Sequence, residues 1–431
     1  MEREALAERP GNAGEQFLPL SASDHATMLR SILAVFNGGT MTVSRRSFVG
    51  GVAAALGYLK VGSEVDLLAQ GQRQGAAAGA RVRPPMDDYD AIAHLSSNEN
   101  CWGPPESVLK AMNQSFKYAM RYGYPGGDVV GELAKLHGVK QENILLSAGS
   151  GEVLDVVGTT YLLNGKKVLG VEPTYSSVYG HATSIKSSAI KLPLMKDYRQ
   201  SIPAFVKAAN EHASEIGLVY LCNPNNPTGM IVTKDEVKQL LDGIPKDMPV
   251  LIDEAYHHFV DDPKYATSVP YVLEGRPVIV ARTFSKIAAL AAMRIGYAVA
   301  PAEIIQKMRP FSMGSVNVAA RFGAVAALRD TQGQADIRKR TIALRKKTQA
   351  DLEAYGYETI PSETNFFMVG IGREIQPVIE EFRQKKVAVG RPFPPMTKHM
   401  RVSVGTEDEM ARFVVAFKEI FPAKTRTTAG G

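Results

Sequence analysis

Between Ile144 and Val299, short apolar runs alternate with longer amphipathic stretches, and no other feature of the chain limits its fold so closely. The apolar runs occupy 144–146, 167–171, 189–192, 218–221, 250–253, 278–281 and 295–299. Each is too short for a helix and reads as a buried strand. The stretches from Val153 onward and at 176–187, 201–214 and 233–242 read as helices, and Thr233-Lys-Asp-Glu236 is a capping box. A helix between successive strands returns the second strand parallel to the first. The expectation is an α/β domain with a mostly parallel central sheet flanked by helices, its ligand held beyond the carboxyl ends of the strands.

Asn226, Asp253 and Lys286 fall at such ends. A lysine beside a buried strand loses hydration, which disfavours its charge and frees its lone pair for attack on a carbonyl. Thr283 and Ser285 add hydroxyls, and Arg294, expected two helical turns beyond Lys286, adds a guanidinium. These are the groups that bind a phosphate monoester. Gly149-Ser150-Gly151 opens a helix, where free N–H groups and the dipole favour an anion. Singly, Lys286 reads equally as a surface lysine, and Gly149–Gly151 as an ordinary strand–helix connection. Together they suggest lysine chemistry beside a phosphate site, and so pyridoxal 5'-phosphate (PLP).

Further motifs follow in order from about His94 to about Phe421. They are Leu95-Ser-Ser-Asn-Glu-Asn100, Tyr124-Pro-Gly126, Ala148-Gly-Ser-Gly-Glu152, Glu172-Pro-Thr-Tyr175, Leu221-Cys-Asn-Pro-Asn-Asn-Pro-Thr-Gly229, Leu251-Ile-Asp-Glu-Ala-Tyr256, Arg282-Thr-Phe-Ser-Lys286, Arg294-Ile-Gly-Tyr297, Asn365-Phe-Phe367 and Arg401-Val-Ser-Val-Gly-Thr406. In this order the chain resembles the fold-type I aminotransferases, most closely the histidinol-phosphate aminotransferase group. The resemblance implies a large PLP-binding domain at 124–310 and a smaller α+β domain made of 87–123 and 311–423.

It also implies roles. Lys286 would hold PLP as a Schiff base and, once displaced, carry a proton. Asp253 would face the ring nitrogen, and Asn226 and Tyr256 the ring oxygen. Tyr175 would stack on the ring, with Tyr179 as the alternative. Ser150, Gly151, Thr283, Ser285 and Arg294 would hold the phosphate. Tyr124 would reach the cofactor of a partner subunit, making a homodimer with shared active sites. Arg401 would clamp a carboxylate, and Asn98 would also meet substrate. Arg391 would bind a second anion, although it reads too as a surface arginine beside a proline-rich loop. The implied reaction moves an amino group from an amino acid or related anionic amine, such as histidinol phosphate or an aromatic amino acid, to a 2-oxo acid. No metal is implied. Racemase, decarboxylase and amine oxidase chemistry on the same cofactor stay open, as does a non-catalytic PLP-binding regulator.

The chain departs from the family at Cys101-Trp102, where a proline and a small or aromatic residue are usual, so Trp102 is expected to line the substrate pocket. Ala289 and Ala292 stand where glycines are common, so the turn there lacks cheap access to positive φ. Helices are expected at 105–122, with Val108, Leu109, Met112, Phe116 and Met120 on one face, and at 128–137, 318–329 and 335–355. Short strands are expected at Thr359, 366–369, 387–389 and 400–404, then a capped helix from Thr406.

The remaining features bound the setting. The chain has 431 residues and a net charge of +6, with basic and acidic residues mostly interleaved. That suits a solvated surface and argues against a nucleic-acid groove. Its 2 cysteines, Cys101 and Cys222, are expected near the cofactor as unbridged thiols. Met41-Thr-Val-Ser-Arg-Arg-Ser-Phe-Val-Gly50 and the weakly apolar run to Leu59 read as a twin-arginine-type export signal, with Ala78-Gly-Ala80 as a processing site. The run is too short to cross a bilayer core of ~30 Å, so no stable membrane insertion is expected. Met41 is a natural start, making 1–40 a disordered extension or an upstream misreading, and 61–86 reads as a linker. The expected destination is the periplasm, or the cytoplasm if the signal does not act.

Overall fold

The computed structural model describes residues 89–424. The extension, the export-like signal, the processing site and the linker lie outside the described residues. Strand β1 (Ala93–Leu95) precedes helices α1 (Glu106–Ser115) and α2 (Val129–His137). Strands and helices then alternate: β2 (Ile144–Ser147), α3 (Ser150–Leu162), β3 (Lys167–Glu172), α4 (Ser177–Ser184), β4 (Ala189–Pro193), α5 (Ile202–Glu211), β5 (Ile216–Cys222), α6 (Lys234–Gly243), β6 (Val250–Asp253), α7 (Val269–Leu273) and β7 (Val278–Thr283). Next come β8 (Gly296–Val299), α8 (Ala302–Met308), α9 (Val318–Arg329) and α10 (Thr331–Ala354). The chain ends on β9 (Thr359–Ile360), β10 (Phe366–Gly370), α11 (Ile375–Gln384), β11 (Val387–Val389), β12 (His399–Ser403) and α12 (Glu407–Ile420).

The large sheet has the order β2-β8-β7-β6-β5-β3-β4. Neighbours from β7 to β4 pair in parallel, while β8 runs antiparallel to both β7 and β2. The exception has a local cause: no helix separates β7 from β8, so the chain turns back instead of crossing over. One apolar cluster packs Val219, Ile252 and Val280 against α5 and α6, and another packs Leu218, Leu251 and Ile279 against α3, from the opposite side. Alternating side chains along each strand feed the two clusters. A third cluster joins β1, β10, β11, β12, α11 and α12 around Phe367, Phe382, Phe413 and Phe417. Thr233 with Glu236, and Thr406 with Glu409, form reciprocal capping boxes at the starts of α6 and α12.

Some expectations need correction. The helix expected over 105–122 stops at Ser115, whose hydroxyl donates to Met112 O, and a single 3-10 turn follows. Only part of its apolar face is covered. Val108 is buried and Met112 fits against Gly323 of α9, but Leu109, Phe116 and Met120 are exposed. Val108 and α9 residues Ala320 and Ala324 belong to the large core. Through these residues α1 and α9 pack against the large core. No helix joins Lys286 to Arg294; the segment is a series of turns. Ala289 takes positive φ there, at 55°, despite its side chain.

Candidate functional site

The carboxyl ends of β5, β6 and β7 converge on one cleft. Asp253 closes β6 and is 3% exposed. Its Oδ1 accepts from Ala255 N (3.1 Å), and the Tyr220 hydroxyl of β5 lies 3.4 Å from Oδ2. Burial pushes the carboxyl up to about 6, against the opposing pull of these two groups and of Lys286. Glu254 points away from Asp253, as alternation requires. It pairs with Arg282 of β7 (2.7 Å), and Thr267 Oγ1 and Ser268 N complete the arrangement. Both ends of that ion pair are buried.

Lys286 follows β7. Its Nζ donates to Asn98 O (2.9 Å) and Ser97 O (3.3 Å) and lies 5.6 Å from the Tyr256 ring centroid. Burial lowers its pKa to about 8, helped by the charges of Arg401 and Arg294 and opposed by Glu99 and Asp253. Such an amine keeps an accessible lone pair near neutrality.

The phosphate residues anticipated from sequence come together. Arg294 Nη1 lies 3.5 Å from Ser285 Oγ and donates to Ala291 O (2.8 Å). Thr283 Oγ1 donates to Ser285 Oγ (2.9 Å). The first turn of α3 sits against them: a Cβ on Gly149 would collide with Arg294 Nη2, and one on Gly296 would collide with Ser150 N. Gly149 holds φ 87°, which a side chain would resist. Ser150 and Gly151 begin α3, so their N–H groups lack intrahelical partners. Glu152 fixes this turn by accepting from Ala148 N (2.6 Å), Ser312 Oγ (3.0 Å) and Met313 N (2.8 Å).

Across the cleft, Asn98 Nδ2 donates to the Tyr256 hydroxyl (3.0 Å), and Asn226 Nδ2 lies 3.5 Å from the same oxygen. Arg401 Nη1 donates to Asn226 Oδ1 (2.6 Å) and Nη2 to Ser96 O (2.6 Å). Arg401 and Arg391 both lie against Phe393, their guanidinium carbons 4.7 Å and 4.3 Å from its centroid. Burial pulls Arg401 down to about 10, with Tyr256 opposing and Arg391 adding to the effect. Tyr175 is close enough for burial and the Asp253 carboxylate to raise its hydroxyl's pKa, while Arg294 lowers it. Tyr179 instead points into the protein, its hydroxyl on Val171 O (2.8 Å). Asn223 and Asn225 brace the loop, the former on Val232 O and the latter on Thr228 Oγ1.

Tyr124 lies apart from these groups, in a cluster with Tyr118, Phe322 and Arg321. Trp102, expected to line the substrate pocket, reaches toward α10. Its ring meets the Arg340 guanidinium of α10 at 4.7 Å, on the side of the smaller core. The stacking of an indole on a cation accounts for that placement. Cys101 and Cys222 are unbridged. Cys101 shares a surface hollow with Ser285 and Ala289, and Cys222 ends β5 with its Sγ 3.4 Å from Pro224 O. Ser403 was not singled out from sequence. It donates to Asn98 Oδ1 (2.9 Å) and accepts from Asn98 N (2.8 Å). Its signal was its position two residues after Arg401, on the same strand face.

These donors fit PLP. Gly149 leaves a hollow beside Arg294, Arg401 Nε is buried without a partner among the described residues, and the low-pKa amine and high-pKa carboxyl influence each other across one cleft. Known proteins agree. The family model described as aminotransferase class I and II matches residues 91–417. The histidinol-phosphate aminotransferase of Moorella thermoacetica is 34% identical over 339 residues, covering 76% of this chain and 85% of that one. That of Caldicellulosiruptor saccharolyticus is 33% identical over 344 residues, covering 77% and 92%. Among solved structures, a putative histidinol-phosphate aminotransferase from Erwinia carotovora atroseptica superposes with a TM-score of 0.73 at 28% identity, over 77% of this chain and 96% of that one. The Sinorhizobium meliloti histidinol-phosphate aminotransferase, solved with PLP, shares the fold with a TM-score of 0.71 at 23% identity, over 80% and 98%. The chain belongs to the aminotransferase class I and II family and is a PLP-dependent aminotransferase.

Proposed function

We propose that the enzyme takes its amino group from an amine carrying an anionic group, histidinol phosphate or an aromatic or other amino acid, and passes it to a 2-oxo acid. The observation that carries this reading is the gathering of two guanidiniums, Arg391 and Arg401, at Phe393. Arg401 is buried, and the positive charge of Arg391 acts on it, a setting that favours an anionic group on the donor. A phosphate monoester or a carboxylate meets that need, and Arg401 Nε has a donor to spare.

Each residue then has a task. Ser150, Gly151, Thr283, Ser285 and Arg294 hold the cofactor phosphate. With PLP bound, Asp253 would face the ring nitrogen, Asn226 and Tyr256 the ring oxygen and Tyr175 a ring face, and Lys286 would offer its Nζ to the aldehyde. Bound there, PLP supplies an aldehyde that takes up amines and a ring that withdraws electrons from the carbon bearing them. Asp253, ionised above about 6, keeps positive charge on the ring nitrogen side. Lys286, with a pKa of about 8, removes a proton from the donor carbon and delivers it again. Arg401 and Asn98 orient the donor.

The working unit is a homodimer in which Tyr124 serves the partner's site. The apolar side chains of Phe116, Met120 and Tyr122, exposed just before Tyr124, support that reading. The segment from Met41 to Leu59 directs export; replacing Arg45 and Arg46 with lysine should leave the enzyme in the cytoplasm, and unchanged export would contradict it.

A donor screen tests the substrate. Histidinol phosphate, aromatic amino acids and acidic amino acids are each added to the PLP-loaded enzyme without acceptor, and loss of the aldehyde-form absorbance is followed. Anionic donors should bleach it and neutral amines should not. Return of the absorbance with donor alone would indicate racemisation instead.

A further inference from the structure

The segment Ser96–Trp102 is stitched to both sides of the cleft. On the sheet side, Asn98 Nδ2 binds the Tyr256 hydroxyl, Asn100 Nδ2 donates to Ile287 O (2.9 Å), and the Ser97 and Asn98 carbonyls receive the Lys286 amine. On the side of the smaller core, Asn365 Nδ2 donates to Asn98 O (3.0 Å) and Glu99 O (3.2 Å), Ser403 binds Asn98 twice, and Arg401 binds Ser96 O. Asn98 holds φ 54°, a left-handed conformation that asparagine adopts more readily than other side-chain-bearing residues. It persists because its backbone and side-chain polar atoms are all engaged.

The far end is fastened separately. Trp102 N donates to Asn100 Oδ1 (3.1 Å), and its ring stacks on Arg340 of α10. Arg340 Nη2 in turn reaches both carboxylate oxygens of Glu407 (3.2 Å and 3.3 Å), in the first turn of α12. The indole N–H is buried beside the Glu407 carboxylate, which it helps to hold in the charged form, without a well-aligned hydrogen bond among the described residues. Stacking on Arg340 is the main contact that fixes this ring.

We propose that Ser96–Trp102 is a strap that holds the Lys286 amine in register, and that Trp102 is the positioning residue fastening it to α10 and α12. Trp102 acts through the Asn98 carbonyl and not by meeting the donor. The inference rests on Lys286 being the reacting amine. Arg401, Arg294, Glu99 and Asp253 bring charge to that amine, and Tyr256 packs beside it, but burial is the largest influence on it. A slack strap admits water, which favours the ammonium form.

The test uses the full-length chain freed of cofactor. PLP is added across a pH series, the product is fixed with borohydride, and the modified peptide is quantified by mass. Wild-type capture at Lys286 should rise with a midpoint near pH 8. Trp102→Ala and Arg340→Gln should each move the midpoint upward by about one pH unit. Trp102→Phe should keep the wild-type midpoint, because a phenyl ring still stacks on Arg340. The proposal is overturned if Trp102→Ala and Arg340→Gln keep the wild-type midpoint, even with a lowered melting temperature, or if Trp102→Phe shifts as far as Trp102→Ala. Capture that survives in Lys286→Ala would instead overturn the assignment of the reacting amine, which separates the two failures.

Discussion

Lys286 and Asp253 depart from ordinary values in ways that suit opposite tasks. The amine is lowered to about 8 and the carboxyl raised to about 6, both chiefly by burial. Lys286→Ala should cut turnover by about 10³-fold or more, since it removes both the covalent anchor and the proton carrier. The phosphate cup is untouched by that change, so non-covalent PLP binding should survive, as equilibrium dialysis would show. Asp253 carries a stability consequence of unusual sign. Its folded pKa of about 6 exceeds the ordinary value of 3.8, so the folded chain binds more protons between those limits. In the cofactor-free protein, its destabilising effect is full above pH 6 and fades as pH falls toward 4. Asp253→Asn should therefore stabilise cofactor-free protein at pH 7 by about 1–3 kcal/mol and by nearly nothing at pH 4, while weakening PLP retention. Urea melts at both pH values check this; equal effects at the two would refute it.

At the scale of elements, the alternation of runs made the sheet and the strand ends legible. Asn226, Asp253 and Lys286 could be placed from it because each lies at, or a few residues beyond, the carboxyl end of a short apolar run. The turn between β7 and β8 was not legible. An i to i+8 spacing suggested helix, whereas Leu290 N bonds back to Phe284 O and the chain loops instead. The stacking of Trp102 was not legible because its neighbours Arg340 and Glu407 are distant in sequence, and nothing local announces a stacked cation. The exposed face of α1 likewise followed the apolar period, which says that a face is apolar but not what covers it. Ala289 at φ 55° offers a direct check. Ala289→Gly relieves about 1–2 kcal/mol of backbone strain and gives back about 0.4–1 kcal/mol through the freer unfolded chain. A net gain of about 0.5 kcal/mol in urea unfolding is expected. Gly149→Ala should act oppositely, displacing Arg294 and weakening PLP binding about tenfold or more while Lys286 remains reactive.

For the whole molecule, the buried Glu254–Arg282 pair ties β6 to β7 on the side of the strands away from Asp253. Arg282→Met would leave an uncompensated buried carboxylate and should cost about 3–5 kcal/mol, with the double change Arg282→Met, Glu254→Leu recovering much of it. The shared-site dimer predicts complementation. Mixing Lys286→Ala with Tyr124→Ala chains should restore activity that neither has alone, because a mixed dimer contains one intact site. The claim on which the rest depends is tested most directly by fixing PLP to the wild-type enzyme with borohydride and mapping the label. The account predicts one pyridoxyl group per chain, on the peptide containing Lys286. A label on another lysine, or an enzyme that transfers amino groups while leaving Lys286 unlabelled, would contradict it.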